Sequence, residues 1–262
     1  MNRREFIGSS AVAVGAAGSL ALEPEAEAAA VIREVYELRH YRLKPDAAPA
    51  GLLDYFGQAL IPAAKRQGLG PVGVFVEQKP SAEPTVTLLL AFPAIAAFWA
   101  FGDKLAADKE YQRAGEAYIG AQPQSPAYAR IESSLLCAFA GMPRLEAPDT
   151  TKPRQFELRT YESHSEAAHS RKVGMFNDGE IAIFRRCGLA PVFFGSTLIG
   201  ARRPNLTYML TYPGPAERAA AWGKFIADPE WKTLSKTPGL TDPEVVSRIT
   251  SVTLLPAPGS QI

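Results

Sequence analysis

The sequence predicts an α+β fold made of two tandem copies of one βαββαβ unit. The first observation is an internal repeat, in which Tyr-Glu-Leu-Arg-His-Tyr at 36–41 returns as Phe-Glu-Leu-Arg-Thr-Tyr at 156–161. The second is that other segments return at the same offset: Gly68–Val72 as Gly188–Val192, Leu90–Pro93 as Leu210–Pro213, and Asp108–Tyr111 as Asp228–Trp231. The third is that each copy reads strand, helix, strand, strand, helix, strand. A repeat at a fixed period predicts one supersecondary unit used twice.

The first copy is expected at residues 31–140. Its apolar residues recur at helical spacing in some segments and alternate with polar residues, as in a strand, in others. Its first helix places apolar residues from Leu53 to Leu60 at the spacing of an amphipathic helix. Pro62 predicts a kink or an early end in that helix, and Gly68 predicts its stop. The predicted elements are a strand at 35–43, a helix at 50–67, strands at 72–78 and 85–92, a helix at 94–112 and a strand at 129–139.

A proline-rich linker, residues 141–154, separates the two copies, and the second copy is expected at residues 155–256. Its elements follow the same order as those of the first copy. They are predicted as a strand at 155–163, a helix at 165–186, strands at 192–200 and 206–212, a helix at 215–227 and a strand at 246–255. The tail after Pro256 is predicted to be loose.

The order of elements in each copy is that of the ferredoxin-like, or split βαβ, unit. Such a unit covers one face of its sheet with helices, and its other face must be covered by something else. A second copy in the same chain can provide that cover. The sequence therefore predicts two ferredoxin-like sheets packed against each other within one chain, with a pocket between them.

Residues 1–28 carry the features of a twin-arginine signal peptide. Arg3 and Arg4 precede a weakly apolar, glycine-broken run, and small residues at 26–30 offer a cleavage site. A transmembrane anchor would need about 20 strongly apolar residues, and this run is shorter and less apolar. We expect export through the twin-arginine route to the periplasm or the cell exterior, with no stable membrane anchor after processing.

Composition and charge argue against several classes of protein. A net charge of +1 without a basic stripe is not typical of nucleic-acid binding. The 47% hydrophobic and 21% charged residues are typical of a globular domain. Cys137 and Cys187 lie in apolar surroundings, so free thiols are favoured and a disulfide between them stays the alternative. Neither cysteine has a second one nearby for a metal site.

Alternation along the first strand of each copy sorts side chains onto two faces. A mainly apolar set is expected under the helices: Tyr36, Leu38, His40, Phe156, Leu158 and Thr160. A polar set is expected between the two sheets: Glu37, Arg39, Tyr41, Glu157, Arg159 and Tyr161. One interpretation is that each Glu pairs with its Arg and pins the sheets together. The other is that Arg39 and Arg159 bind an anionic group while a Glu or Tyr handles a proton.

The second copy resembles the NIPSNAP family. The resemblance rests on Phe-Glu-Leu-Arg-Thr-Tyr at 156–161, on Tyr212-Pro213 followed by Arg218, and on Asp-Pro-Glu-Trp at 228–231. The first copy departs from this pattern at Phe98, which stands where the second copy has Arg218. It departs again at Tyr111, which stands in place of a tryptophan.

The resemblance implies a fold more sharply than a function. NIPSNAP proteins belong to the dimeric α/β-barrel superfamily of ferredoxin-like folds, so the two copies are expected to form such a barrel within one chain. The activity of the family is poorly defined, with roles suggested in trafficking and in small-molecule binding. The wider superfamily includes haem-binding enzymes, cofactor-free monooxygenases and lactone isomerases.

The histidines and glycines do not form a recognisable cofactor motif. His40 is expected to be packed under the helices, while His164 and His169 are out of register for chelating a metal on one helix face. No cofactor is therefore predicted, with haem held by one of these histidines as the alternative. The glycines at 68–73 follow a helix and precede a strand, which is the reverse of a phosphate-binding loop.

These observations favour an exported protein that binds a small, partly apolar or anionic molecule between the two sheets. The alternative is a small-molecule enzyme of the dimeric α/β-barrel type, such as a cofactor-free monooxygenase or isomerase, or a haem protein. A completely filled space between the sheets would instead indicate a structural or interaction protein. A homo-oligomer stays open, because exposed sheet edges can pair with another chain. The candidate ligand-binding residues are Glu37, Arg39, Tyr41, Glu157, Arg159, Tyr161 and Arg218.

Overall fold

Residues 32–45 and 47–262 are described by a computed structural model of the chain. The predicted signal peptide at 1–28 lies outside these residues. Within them, no helix combines the length and the apolar character that a membrane crossing requires. We call residues 32–140 the first half and residues 155–262 the second half.

Eight antiparallel strands close into one barrel. The strands are β1 (Val35–Arg42), β2 (Gly73–Glu77), β3 (Thr85–Phe92), β4 (Arg130–Ala138), β5 (Gln155–Glu162), β6 (Ala190–Ile199), β7 (Asn205–Tyr212) and β8 (Arg248–Pro256). Around the barrel they follow the order β1-β3-β2-β8-β5-β7-β6-β4. Each half thus contributes four neighbouring strands, and the halves join edge to edge where β2 pairs with β8 and β4 pairs with β6. The mixed α+β class is confirmed, and the sheet is continuous rather than divided in two.

The helices lie on the chain between these strands. The helices of the first half are α1 (Ala50–Tyr55), α2 (Ile61–Arg66), α3 (Ile95–Ala107), α4 (Lys109–Ala114) and α5 (Glu116–Ile119). Those of the second half are α6 (Glu166–Met175), α7 (Ile181–Cys187), α8 (Pro215–Ala227), α9 (Pro229–Leu234) and α10 (Asp242–Val245). The bounds predicted for β3 and α8 agree with the structure, whereas the short helices α5, α9 and α10 were not predicted.

A π-helical turn interrupts the first long helix of each half, at Phe56–Leu60 and at Phe176–Glu180. Of the two outcomes predicted at Pro62, the early end is wrong, because α2 continues through Pro62 to Arg66. Pro62 also does not cause the π turn, since the second half has the same turn and carries Ala182 at the matching position. The predicted stop at Gly68 agrees with its positive φ of 74°.

Three apolar clusters stabilise this arrangement. One cluster lies between the strands and helices of the first half and includes Tyr41 and Phe56. A second lies in the same place in the second half and includes Tyr161. The third fills part of the barrel interior and includes Tyr36 and Phe156. The strands β3 and β7 are therefore buried along nearly their whole length, by helices outside and by apolar side chains inside, whereas most residues of β8 are exposed or half-buried.

These clusters correct the predicted assignment of the two faces of β1 and β5. Tyr36 and Leu38 of β1, with Phe156 and Leu158 of β5, face the barrel interior instead of the helices. The set that includes Tyr41 and Tyr161 faces the helices instead of the space between the sheets. The physical reason is that an eight-stranded barrel must fill a narrow interior, which favours apolar side chains there.

The predicted loose tail after Pro256 is wrong as well. Ala257 N donates to Val74 O at 2.9 Å, and Gln261 N donates to Val72 O at 3.0 Å. The Ile262 side chain is fully buried within the interior cluster. The tail stays ordered because it supplies backbone donors to Val74 of β2 and to Val72 just before it, and an apolar side chain to the interior cluster.

Both cysteines carry free thiols, as expected. Cys187 is buried and Cys137 is half-buried. Burial raises the pKa of the Cys187 thiol, with the Asp228 carboxylate adding to the effect. The thiol is therefore less prone to ionise than an ordinary cysteine at neutral pH.

Candidate functional site

The predicted ligand-binding residues form two separate networks on the helix-covered side of the barrel. Glu157, Arg159 and Arg218 meet in the second half. Glu37 and Arg39 pair in the first half. The barrel wall separates the two networks, so the structure does not bring the two sets together between the sheets.

The network of the second half is centred on the Glu157 carboxylate, whose side chain is only 1% exposed. It accepts hydrogen bonds from Arg159 Nη1 at 2.8 Å, Arg218 Nη2 at 2.6 Å and Nε at 2.9 Å, Trp222 Nε1 at 3.0 Å and Ser251 Oγ at 2.8 Å. Burial opposes ionisation of this carboxyl group, but the donors from Arg218, Trp222 and the others outweigh it and lower its pKa to about 2. All of its accepting capacity is used inside the protein.

The network of the first half is smaller. The Glu37 carboxylate accepts from Arg39 Nε at 2.7 Å, Arg39 Nη2 at 2.8 Å and Ser133 Oγ at 2.8 Å. Phe98, which replaces the second arginine, packs edge-on against Phe92 with ring centroids 5.5 Å apart. The substitution at residue 98 therefore exchanges an ion pair for an aromatic contact.

A buried ion pair in the second half was not predicted. Lys172 Nζ lies 2.9 Å from Glu180 Oε2, and the two side chains are 1% and 2% exposed. The Lys172 ammonium also lies 4.9 Å from the ring centroid of Phe176 and 5.6 Å from that of Trp231. Burial raises the pKa of Glu180, and the attraction of Lys172 limits the rise. A lysine at an apolar position of a helix was the available sequence signal.

The barrel interior changes from apolar to polar along its axis. Successive interior residues of β1 are Tyr36, Leu38, His40 and Arg42, and each lies beside its cross-strand partners on β3 and β4. The cross-strand neighbours of His40 are Thr87 and Glu132. In the second half, Thr160 takes the place of His40, and its cross-strand neighbours are Thr207 and Thr250. We call this polar end of the barrel, at the level of His40 and Thr160, the mouth.

The mouth encloses two adjoining cavities of about 370 Å³ and about 250 Å³. They share five lining residues: His40, Arg42, Glu132, Thr160 and Arg202. Apolar side chains form the floor below the hydroxyl groups: Leu38, Leu158, Val252 and Leu254. The combination of an apolar floor and a polar wall is typical of a site for a small organic molecule.

His40 is neutral in this setting. Burial is the main cause that lowers the pKa of His40 to about 4, and the positive charges of Arg42 and Arg202 add to it while Glu132 opposes it. Its Nδ1 atom lies 3.1 Å from Thr87 Oγ1. Among the described residues, Nε2 has no hydrogen-bond partner. An uncharged imidazole with one free ring nitrogen thus stands in the cavity wall.

Arginines and carboxylates alternate above the hydroxyl groups. Arg42 Nη1 donates to Thr85 Oγ1 at 2.9 Å, and Arg42 Nη2 donates to Glu132 Oε2 at 3.1 Å. Arg130 Nε donates to the other oxygen of Glu132 at 3.2 Å. Arg42 Nε is buried and has no partner in the part of the chain that the structure describes. Arg202 lies 3.5 Å from Glu162.

The sequence analysis placed His40 on the helix-covered face and so missed the mouth. The signal that could have found it is the placement of four threonines. Thr87, Thr207 and Thr250 are each the third residue of a strand, and Thr160 is the third from the end of an antiparallel neighbour, so all four lie toward one end of the barrel. In the described residues, no group of three or more His, Cys, Asp and Glu side chains could hold a metal ion.

Comparison with known proteins points to one family. The sequence pattern of the NIPSNAP family matches residues 36–125 and 156–261. No curated protein matches the chain. Among solved structures, an uncharacterised NIPSNAP-like domain protein from Burkholderia xenovorans is 22% identical; the match covers 42% of this chain and 90% of that one, with a TM-score of 0.38.

Two further solved structures resemble nearly the whole chain. A candidate monooxygenase from Fusobacterium nucleatum is 8% identical, with 86% of this chain and 93% of that one covered and a TM-score of 0.55. A candidate monooxygenase from Lactobacillus acidophilus is 9% identical, with 86% and 94% covered and a TM-score of 0.54. At this identity the likeness shows a shared fold.

Proposed function

The chain belongs to the NIPSNAP family, and on that premise we propose that it binds a small, partly apolar or anionic molecule in the mouth of the barrel. The observation that carries the proposal is the pair of adjoining cavities, of about 370 Å³ and about 250 Å³, which together lie between an apolar floor and a polar wall. The volume of the larger cavity lies within the range of about 300–1,000 Å³ that is usual for small-molecule sites. An eight-stranded barrel interior is also wide enough to hold one small ligand.

The polar wall supports binding through hydrogen bonds. Thr160 and Thr207 hydroxyl oxygens lie 2.9 Å apart and can each donate or accept toward the cavity. Thr250 adds a third hydroxyl and His40 a free ring nitrogen to the same wall. A ligand with oxygen atoms at one end and an apolar group at the other would satisfy both parts of the site.

We infer a different role for the seven residues predicted from the sequence. The charged groups among them are paired with each other, and Arg159 Nη2 also donates to Tyr161 Oη at 3.1 Å. Arg218 on α8 reaches Glu157 on β5, which ties the helix to the barrel. These contacts support the expected pairing of each Glu with its Arg, and they fasten a helix to the barrel instead of one sheet to the other.

We also interpret the barrel as two ferredoxin-like units fused in one chain, which makes it an intrachain dimeric α/β barrel. The support is twofold. The strand order β4-β1-β3-β2 of the first half recurs as β8-β5-β7-β6 in the second half. The family pattern matches once in each half.

The enzyme alternative, in which a Glu or Tyr of this set acts as the base, gains no support from the geometry. The low pKa of Glu157 makes it a poor proton acceptor, and burial raises the pKa of Tyr41 above its usual value. The candidate monooxygenases share the fold of this chain, and a shared fold does not carry an activity over. Binding is therefore the function that the site supports best.

A variant that fills the mouth tests the proposal. Thr160→Phe places a ring in the cavity, and Thr233→Phe, at an exposed position of α9, is the matched control. We expect members of a library of small carboxylates, alcohols and lactones to raise the melting temperature of the wild type and of the control but not of Thr160→Phe. An equal rise in melting temperature in all three proteins would show that these ligands do not bind in the mouth.

We further propose export through the twin-arginine route, supported by Arg3 and Arg4 and the run that follows them. Arg3→Lys with Arg4→Lys keeps the positive charge and removes the paired guanidinium groups. Fractionation of cells should find the wild type outside the cytoplasm and the double variant inside it. The same distribution for both proteins would end this proposal.

A further inference from the structure

Two nitrogen atoms in the mouth lack partners. His40 Nε2 has no hydrogen-bond partner among the described residues. Arg42 Nε is a buried donor that is likewise unpaired within them. Both residues belong to the interior row of β1 and line both cavities. Because His40 lines both cavities, a ligand there can form a hydrogen bond with its free Nε2, whereas Arg42 Nε is enclosed by protein atoms and Arg42 contributes only its positive charge to the cavity wall.

We infer that the mouth takes a monocarboxylate with a short apolar chain, and that the carboxylate binds together with a proton carried by His40. This inference rests on the proposed function of the mouth and adds the chemical class of the ligand. The chain of the ligand would lie on the floor formed by Leu38, Leu158, Val252 and Leu254. One carboxylate oxygen would accept from Nε2 of the protonated imidazole, at the level of the threonine hydroxyl groups.

Charge balance favours a proton arriving with the anion. The charged residues that line the two cavities are Arg42 on β1, Arg202 before β7, Glu132 on β4 and Glu77 on β2, which cancel each other. Two further charged residues lie just above them. Glu162 on β5 is paired with Arg202, and Arg130 on β4 is paired with Glu132. The residues that face His40 from β3, β7 and β8 are threonines, which carry no charge. A bare carboxylate would thus leave an excess negative charge in a half-closed site, whereas an imidazolium beside it restores the balance.

The direction of the pH dependence follows from the free and bound states of His40. The pKa of His40 is about 4 in the free protein. An opposite charge within about 4–6 Å favours the charged form of a group by about one to three pKa units, which places the bound value between about 5 and about 7. Because the complex holds a proton that the free protein lacks between these two pKa values, affinity rises as pH falls from the bound pKa toward about 4. The expected slope is about tenfold per pH unit until the ligand itself protonates near its own pKa.

Titration calorimetry of the full chain with hexanoate and with hexanol tests the inference. At about pH 6 in two buffers with different ionisation enthalpies, we expect hexanoate to bind with proton uptake, between about 0.1 and about 0.9 proton for a bound pKa between about 5 and about 7. The variant His40→Gln keeps a side chain that can hydrogen-bond Thr87 and cannot titrate. It should bind hexanoate without proton uptake and without the pH slope, and more weakly than the wild type by up to about tenfold at that pH.

The remaining outcomes separate the inference from the proposed function. Hexanol binding as tightly as hexanoate, or hexanoate binding without proton uptake, would overturn the inference and leave the mouth as a binding site. No binding of either probe would overturn the inference too, while the library measured on Thr160→Phe decides the proposed function by itself. Because His40→Gln could fold poorly, the imidazole resonances of the wild type provide a second readout. The chain has three histidines, and only that of His40 should shift its titration upward with hexanoate.

Discussion

The helix-covered layers of the two halves have the same backbone plan and different chemistry. In the second half, Lys172 and Glu180 form a buried ion pair beside the π turn. At the matching positions the first half has Leu52 and Leu60, both buried in its apolar cluster. The comparison teaches that this layer accepts either an ionic or an apolar filling, provided that the ionic one is complete.

The same contrast holds for the carboxylates on β1 and β5. Glu157 accepts hydrogen bonds from Arg159, Arg218, Trp222 and Ser251, whereas Glu37 accepts only from Arg39 and Ser133 among the described residues. The second half therefore fixes α8 on the barrel with charged contacts, and the first half fixes α3 with aromatic ones. Substitutions at the residues in which the two halves differ test each of these differences in turn.

The largest effect is expected from breaking the buried pair. Lys172→Met removes the ammonium and leaves the Glu180 carboxylate buried without its partner, which should lower the free energy of unfolding by about 3–5 kcal/mol. Urea denaturation measures this change. The double variant Lys172→Leu/Glu180→Leu copies the first half and should be as stable as the wild type or more stable by up to about 4 kcal/mol. A double variant as unstable as Lys172→Met would show that the two halves are not interchangeable in this layer.

A smaller and pH-dependent effect is expected at Glu157. Its folded pKa of about 2 lies below the ordinary value of 4.5, so its contribution to stability is present above about pH 4.5 and lost as pH falls toward 2. Glu157→Gln should cost about 2–3 kcal/mol at neutral pH, because charged hydrogen bonds are lost. The difference from the wild type should narrow between about pH 4.5 and 2 in acid denaturation.

Glu37→Gln is the comparison variant for that experiment. Because Glu37 accepts from fewer side chains, its loss at neutral pH should be smaller, about 1–2 kcal/mol. Equal losses for Glu37→Gln and Glu157→Gln would contradict the account of the two networks.

The smallest effect is expected at Arg218, whose side chain is 36% exposed. Arg218→Phe introduces the residue of the first half, and solvent screening limits the value of the lost ion pair to about 1 kcal/mol. The melting temperature should fall by about 2–4 °C in differential scanning calorimetry. A loss as large as that of Glu157→Gln would mean that Arg218 alone holds the carboxylate in place.

The sequence predicted the order of the strands and main helices because hydrophobic period and turn residues are local signals. The bounds of β3, Thr85–Phe92, and of α8, Pro215–Ala227, show how far such signals reach. The repeat of Glu-x-Arg-x-Tyr also identified residues that do interact, since Glu157 and Arg159 are hydrogen-bonded as one of the two interpretations expected.

The faces of β1 and β5 could not be predicted, because alternation divides side chains into two sets without saying which set faces which layer. Both layers are largely buried, so the apolar character of Tyr36 and Leu38 suited either one. Closure of the barrel determines which set faces the interior. That closure depends on pairing between β2 and β8, which are far apart in the chain.

The spacing of Lys172 and Glu180 along the sequence did not indicate that they form an ion pair. Residues eight apart, like Lys172 and Glu180, lie about 80° apart around an ideal α-helix. The π turn at Phe176–Glu180 holds more residues per turn, so it reduces the rotation between the two residues toward two full turns and lets their side chains meet. A π turn has no sequence signature that would have revealed this contact in advance.

The most direct test of a ligand site inside the barrel is a map of where a bound ligand lies. Nuclear magnetic resonance of the protein with labelled threonine methyl groups, titrated with hexanoate, gives that map. We expect the largest shift changes at Thr87, Thr160, Thr207 and Thr250, with little change at Thr233 on α9. Shift changes confined to Thr253, which pairs with Glu157 and lies on the helix-covered face with Ser251, with the threonines of the mouth unaffected, would contradict the account.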